Sequence, residues 1–373
     1  MIKKKMEVVM EYRINKRTHD KISVIGIGSS SISNSSKEEA IQTLKYAFAN
    51  GINYFDLAAG DADCFPYYGE AFEKVRDKVI YQIHFGANYE TGTYGWTTNL
   101  NTVKKSIEWQ LKELRTDYID YGFIHCLDEE SDWKSYRENG ILDYILELKE
   151  KGIVRHIGLS SHTPELVNEI LDTKLVDMVM FSINPGYDYQ HGDYANGSAD
   201  ERMNLYKRCE GEGVGISVMK PFSGGQLLDE KTSPFGRKLT RIQSMQYALD
   251  RPGVLTVLPG IRGMNDLKEI LKYNEATEEE KDYSIIGEFA PTQVTGKCVY
   301  CNHCMPCPMK LDIGLINKYY DLSLAGDKLA KDHYLNLEKT AKDCISCGHC
   351  NKRCPFKVDQ MNRMKEIKEY FGK

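Results

Sequence analysis

Along the first 283 residues, short apolar runs rich in β-branched residues alternate with stretches whose apolar positions recur every third or fourth residue. Short unbroken apolar runs suit strands buried on both faces, and the wider spacing suits helices with one apolar side. The runs predict strands over 21–28, 52–57, 79–84, 118–125, 154–160, 178–184, 215–220 and 254–259. The spaced stretches predict helices over 37–50, 70–75, 102–114, 142–151, 163–172, 200–210, a segment ending near Arg251, and 264–273. Eight strands, each followed by a helix, in about 250 residues match the count of a (β/α)8 TIM barrel in the α/β class. A doubly wound open sheet is the alternative. The turn after the first strand, VIGIGSSSI, has too few glycines for the phosphate-binding fingerprint of that fold. Ahead of it, residues 8–28 read as a hairpin turning near His19 and Asp20, placed to cap the barrel bottom.

The last quarter has a different character. Cys298, Cys301, Cys304 and Cys307 are followed by Pro308, and Cys344, Cys347, Cys350 and Cys354 by Pro355. The second group matches the C-x2-C-x2-C-x3-C-P run that holds 4Fe–4S clusters, and the first is one residue shorter before its last cysteine. Where two such runs occur together, the Cys-Pro of each ligates the other cluster. The expected wiring is Cys298, Cys301, Cys304 and Cys354 for one cluster, and Cys344, Cys347, Cys350 and Cys307 for the other. Zinc is the alternative, although its four-cysteine sites use two CxxC pairs rather than two triplets. Between the groups, Leu315, Ile316, Tyr319, Tyr320 and Leu322 keep helical spacing. The expected organisation is a barrel over 1–283 and a small α-helical ferredoxin-like domain with two 4Fe–4S clusters over 284–373.

Composition narrows the partners. A net charge of −5 leaves no basic excess, so nucleic acid is not expected. No stretch approaches the roughly 18 apolar residues that span a membrane, and the N-terminus lacks the apolar core of a secretory signal. A cytoplasmic protein with a small-molecule substrate and a redox partner protein is expected. Cys64, Cys126 and Cys209 lie outside the cysteine block and are expected to be inert, Cys64 in the loop after Asp56 being the one of the three placed to touch the site. Cys126 directly follows His125, so a continuing strand would turn it away from that side chain.

The segments GINYFDLA, RDKVIYQIHFG, DYIDYGFIHCLD, VRHIGLSSHTPE, GVGISVMKPFSGGQLL and VLTVLPGIRGMNDLKEI resemble, in order, the strand motifs of aldo/keto reductases. The whole chain resembles the iron–sulfur subgroup of that family. The resemblance implies an active site at the C-terminal face of the barrel. It also implies an Asp, Tyr, Lys, His tetrad, in which Tyr protonates a carbonyl while NAD(P)H delivers hydride.

Asp56 and His125 match the Asp and His of that tetrad. The Lys position is His84, and the Tyr position is Asp61. Tyr67, or its neighbour Tyr68, is the candidate to fold back in place of the missing tyrosine. Asp56, His84 and His125 also form the ligand set of a 2-His-1-carboxylate metal site, so a metal triad and an acid/base triad both stand. For the cofactor, the resemblance points to Ser160 and Ser161 after strand five, with Asn184 after strand six. Lys220, Ser223, Gly260 and Arg262 could hold an anionic group of NAD(P)H or a flavin. The expected function is an oxidoreductase that couples chemistry on a carbonyl or hydroxyl substrate to electron transfer through the clusters. An electron-transfer adaptor with a non-catalytic barrel, and a metal-dependent lyase or hydrolase with structural clusters, are the alternatives. Coupling would require the cluster domain near the barrel mouth.

Overall fold

The computed structural model describes residues 10–190, 192, 194–288, 295–324 and 326–373. The start of the predicted barrel domain and part of the predicted linker lie outside the described residues. Eight parallel strands form the centre: β1 (Ile27–Gly28), β2 (Tyr54–Asp56), β3 (Ile80–Phe85), β4 (Ile119–Ile124), β5 (Val154–Ser161), β6 (Met178–Ser182), β7 (Gly215–Met219) and β8 (Val254–Val257). They pair in sequence order from β1 to β8. Parallel bridges from Ile25 to Val257 and from Gly28 to Gly260 join the first strand to the last and close the ring. The chain is therefore the (β/α)8 barrel that the alternation of patterns predicted.

Strands β2, β4, β6, β7 and β8 are buried along their whole length. Helices cover their outer face and side chains fill the interior, so no strand face meets water. Ile22, Tyr54, Tyr121 and Met178 belong to an interior cluster separate from the outer core. The hairpin of Tyr12–Ile14 and Lys21–Ser23 plugs the bottom. Its Thr18 and Asp20 meet the Tyr121 hydroxyl at 2.7 and 2.6 Å. The predicted first strand is thus split, with 21–23 in the hairpin and 27–28 in the barrel.

The outer helices are α1 (Lys37–Ala49), α2 (Cys64–Phe72), α3 (Leu100–Glu113), α4 (Ile141–Glu150), α5 (Pro164–Asp172), α6 (Ala199–Glu212), α7 (Arg241–Leu249) and α8 (Met264–Leu271). Helix α2 starts six residues before the predicted 70–75. Phe65, Tyr68 and Phe72 give it a buried stripe. Pro66 falls in its first turn, where the missing N–H costs nothing. Gly69 lets α2 lie against α3: a Cβ there would stand 2.1 Å from the Glu113 carbonyl oxygen. After β3, a short hairpin of Ala87–Asn88 and Gly95–Trp96 projects over the mouth, which the strand and helix pattern did not foresee.

The cysteine region builds α9 (Ile313–Leu324), α10 (Lys328–Leu335) and α11 (Gln360–Phe371) around an apolar cluster of its own. The Tyr334 and Phe371 rings stack at 4.0 Å. This region lies along the outer wall of the barrel rather than across its mouth. Buried Arg251, just after α7, donates to the Val299 carbonyl at 2.5 Å and to the Tyr283 hydroxyl at 3.0 Å. Two residues before Val299, Lys297 pairs with Asp200 at the start of α6. Helix α8 ends at the bottom of the barrel, so the chain after it must climb the flank. Among the described residues, no helix is long and apolar enough to cross a membrane.

Candidate active site

A cleft of about 910 Å³ opens at the C-terminal ends of the strands, lined in part by Asp56, Tyr94, His125, Lys220 and Gly260. That volume accommodates an organic cofactor together with a small substrate.

At its floor, four side chains form a linear hydrogen-bonded chain. Asp56 Oδ1 is 2.7 Å from His84 Nε2. His84 Nδ1 is 2.9 Å from His125 Nδ1, and His125 Nε2 is 2.8 Å from the Tyr94 hydroxyl. Because Asp56 and His125 occupy opposite nitrogens of His84, the three do not converge on one point as ligands of a single metal ion would. Gln82 Nε2 donates to Asp56 Oδ1 at 3.0 Å and fixes the carboxylate. Burial, together with neighbouring His84, pulls the His125 pKa well below the usual imidazole value. The Tyr94 hydroxyl is pushed up to about 12, chiefly by burial.

Tyr94 reaches this place because the hairpin after β3 pairs with the loop after β2. Asp61 bridges to Thr93, and the Tyr94 N–H donates to the Gly60 carbonyl at 3.0 Å. On the next strand of the hairpin, the Trp96 indole donates to the His125 carbonyl at 3.2 Å. The signal in the sequence was the glycine-flanked aromatic run GTYGW, a turn followed by a short strand. Tyr67 sits on α2, packed against the core and outside the cleft lining. Tyr68 is fully buried, its hydroxyl 2.8 Å from Ser29 Oγ. Asp61 is occupied by a hydrogen bond from Ser33.

Cys126 does not point away from the site as the strand pattern implied. Strand β4 ends at Ile124, and Cys126 takes a φ of 52°, which turns its thiol into the cleft. Of the residues expected at a cofactor, Ser160, Lys220, Gly260 and Arg262 line the cleft. Ser161 is buried, and its hydroxyl accepts from the Thr163 N–H at 3.0 Å. Asn184 is fully engaged, accepting from the Tyr187 N–H and donating to the Lys220 carbonyl, both at 2.9 Å. Ser223 lies nearly buried beside Gln226, outside the lining. The Arg262 guanidinium forks onto Asp266 at 2.7 and 3.0 Å. Arg241, the first residue of α7, also lines the cleft and carries a cation that strand-end reasoning had missed.

The cysteines fall into two neighbouring sets. Cys301 lies beside Cys298 and Cys354, and Cys304 beside all three. Cys298, Cys301 and Cys354 pack against the core of the barrel. Cys307, Cys344, Cys347 and Cys350 line a second pocket, which Cys304 borders. Burial pushes the Cys298 thiol up to about 11 and Cys301 up to about 12. The buried Nε2 of His349, which lines the same pocket, has no hydrogen-bond partner among the described residues. Sulfur ligands of one zinc ion, each about 2.3 Å from the metal, would crowd to within roughly 3.8 Å of one another. Among the described residues, no three cysteine sulfurs lie within 4.8 Å of one another. Wider spacing, and an orphaned imidazole nitrogen on a residue lining the pocket, fit an iron–sulfur cluster, whose sulfides accept hydrogen bonds from a protonated ring nitrogen.

Comparison with known proteins agrees with this architecture. The sequence matches the aldo/keto reductase family over residues 24–245 and the 4Fe-4S dicluster domain over residues 295–358. L-galactose dehydrogenase of Arabidopsis thaliana is 24% identical over 296 residues, which span 70% of this chain and 86% of that protein. The uncharacterized oxidoreductase YqkF of Bacillus subtilis (strain 168) is 25% identical over 292 residues, spanning 69% and 90%. The holo form of aldo-keto reductase AKR11C1 from Bacillus halodurans superposes with a TM-score of 0.59 at 21% identity, covering 75% of this chain and 96% of that one.

Proposed function

This chain belongs to the aldo/keto reductase family, and from the hydrogen-bonded chain at its barrel mouth we propose that it interconverts a carbonyl and the corresponding alcohol on a small organic substrate. The observation that carries this reading is the run Tyr94–His125–His84–Asp56, which links a cleft-facing phenol to a buried carboxylate.

With Asp56 ionised, the Tyr94 O–H donates to His125 Nε2. His125 Nδ1–H then donates to His84 Nδ1, and His84 Nε2–H to Asp56. Every nitrogen is satisfied with both imidazoles neutral, in keeping with the depressed His125 pKa. This arrangement takes a proton from an alcohol: the substrate O–H proton goes to the Tyr94 oxygen while each hydrogen bond passes one proton inward. When Asp56 holds the proton, all three hydrogen bonds reverse. The Tyr94 hydrogen then faces the cleft and is ready for a developing alkoxide. The relay replaces the Tyr–Lys–Asp device of the family, in which a fixed cation acidifies the phenol. Among the described residues no lysine pairs with Tyr94, and its hydroxyl stays protonated at neutral pH.

A nicotinamide cofactor, or a flavin, supplies the hydride when bound. Ser160, Lys220, Arg241, Gly260 and Arg262 lie where they could hold its anionic groups, with Arg262 already forked onto Asp266 and Asn184 fully engaged outside the lining. Residues 284–373 we assign to a module with two 4Fe–4S clusters, which supply or take single electrons when bound, and residues 1–283 to the barrel. The two sets of neighbouring cysteines support that assignment.

The test uses anaerobically prepared holoprotein, with a panel of aldehydes, ketones and alcohols, assayed with NADH, NADPH and a reduced low-potential dye. Turnover of a carbonyl–alcohol pair with any of these donors is expected. Absence of turnover across the panel, with the clusters intact, would favour the adaptor reading.

A further inference from the structure

Beside the relay, across the ends of β4 and β5, Cys126, Asp128 and His162 bring one ligand atom each within 4.8 Å of one another. We propose that these three side chains bind a divalent cation of the zinc class at the rim of the cleft. The site stands whether or not the chain reduces a carbonyl.

The geometry centres on Asp128 Oδ2, which is 3.9 Å from Cys126 Sγ and 2.9 Å from His162 Nδ1. A zinc ion about 2.3 Å from sulfur and about 2.0–2.1 Å from nitrogen and oxygen holds tetrahedral ligands roughly 3.3–3.6 Å apart. The two edges to Oδ2 each need to change by less than about half an ångström, and the Cys126–His162 edge lies within 4.8 Å. The remaining carboxylate oxygen is already occupied: Asp128 Oδ1 accepts the His162 backbone N–H at 2.6 Å and the Ser161 hydroxyl at 3.5 Å. Thr163 donates to the Asp128 carbonyl at 2.9 Å. These contacts aim Oδ2 at the other two donors, as the supporting shell of a metal site does. The left-handed conformation of Cys126 is what brings its thiol there, and L-residues other than Gly, Asn and Asp adopt it at a cost.

Three protein ligands leave a fourth position open. Cys126 and His162 both line the cleft beside His125 and Tyr94, so that position faces the bound substrate. A substrate oxygen or a water molecule completes the shell. Binding requires the Cys126 thiol to release its proton to solvent and His162 to ligate through Nδ1, with its hydrogen on Nε2.

Lys220 is the built-in competitor. Its ammonium stands 2.9 Å from His162 Nε2 and 3.8 Å from the centre of the Tyr194 ring. In the metal-free chain it balances the Asp128 charge through His162. When Nε2 carries a hydrogen, Lys220 must swing off it. Removing the ammonium should therefore favour the metal.

The test is zinc K-edge absorption on holoprotein with intact clusters, equilibrated with one equivalent of Zn2+. The expected shell has one sulfur at about 2.3 Å and two or three nitrogen or oxygen atoms at about 2.0–2.1 Å. Cys126→Ser should remove the sulfur and weaken binding by about tenfold or more in a chelator competition. His162→Gln should weaken it comparably, and Lys220→Met should tighten it, with iron content unchanged in all three as the check on folding. A shell of three or four sulfurs would place the zinc among the cluster cysteines and overturn the proposal. So would affinity indifferent to both Cys126→Ser and His162→Gln, or no zinc retained at micromolar free concentration.

Discussion

The Tyr94 hydroxyl oxygen lies 2.8 Å from His125 Nε2, joining a residue of the loop hairpin to the end of the fourth barrel strand. Removing that hydroxyl tests the proposed function directly. Tyr94→Phe is expected to lower kcat/KM for carbonyl reduction by about 10²–10⁴, the usual value of a positioned proton donor. Iron content should not change. Tyr67→Phe, outside the cleft lining, should leave turnover at the wild-type level. Steady-state kinetics of the two variants side by side separate the candidates. Full activity in Tyr94→Phe would sink the relay.

His84 makes two hydrogen bonds in the chain and is fully buried. His84→Gln keeps a polar group there but cannot accept and donate a proton in one concerted shift. Its expected signature is a fall in kcat with little change in KM, because the relay acts on the proton that moves in the transition state. A change confined to KM would mean that His84 only shapes the cleft.

The cysteine sets predict which cluster each substitution damages. Cys354 lies beside Cys301 and Cys304, whereas Cys307 shares a pocket with Cys344, Cys347 and Cys350. Anaerobic wild-type protein should hold about eight iron per chain, and Cys354→Ser or Cys307→Ser about half of that. Electron paramagnetic resonance of the reduced variants should show two different surviving clusters. The same surviving spectrum in both would refute the crossed wiring.

Lys318 of α9 lines a crevice against the barrel bottom with Arg13 and Glu210. Burial, and then Arg13, push its pKa down to about 8. In the unfolded chain a lysine titrates near 10.4, so between roughly pH 8 and 10.4 the unfolded state holds the extra proton and stability rises with pH. The benefit is complete above that window and lost as pH falls through about 8, which leaves a strained charge at neutral pH. Part of the side chain still meets solvent, which reduces the effect. Lys318→Met should raise the thermal midpoint at pH 7 by about 1–2 °C, and by less at pH 10. An equal shift at both pH values would assign the gain to packing alone.

Much of this arrangement is local and could be read along the chain. Strand runs end where apolar patterning stops, and in a parallel barrel all strand ends face the same way. That alone places Asp56, His84 and His125 on adjacent strand ends. The cysteine spacings are equally local, because a cluster loop closes over a few residues.

The partners of those residues are not local. Tyr94 meets His125 only because Asp61 and Gly60 pair with Thr93 and Tyr94, a contact between two loops. Tyr67 was the nearer candidate in sequence, but the buried stripe of α2 is formed by Phe65, Tyr68 and Phe72, which leaves Tyr67 half-buried beside it and outside the cleft. The sign of φ at Cys126 depends on how β4 is tied off at the mouth, where Tyr136 and Trp96 both donate to the His125 carbonyl. The flank position of the cluster region depends on Arg251, whose hydrogen bonds to Tyr283 and Val299 cross 32 and 48 residues. By itself the sequence determined the barrel, the cysteine spacing of the 4Fe-4S domain and which polar residues stand at the strand ends, since periodicity and short spacings are enough for those. Only the tertiary structure decided which tyrosine completes the relay, that Cys126 faces the cleft, and where the clusters lie. Each of these rests on hydrogen bonds between segments far apart in the chain, whose pairing leaves no periodic trace in the sequence.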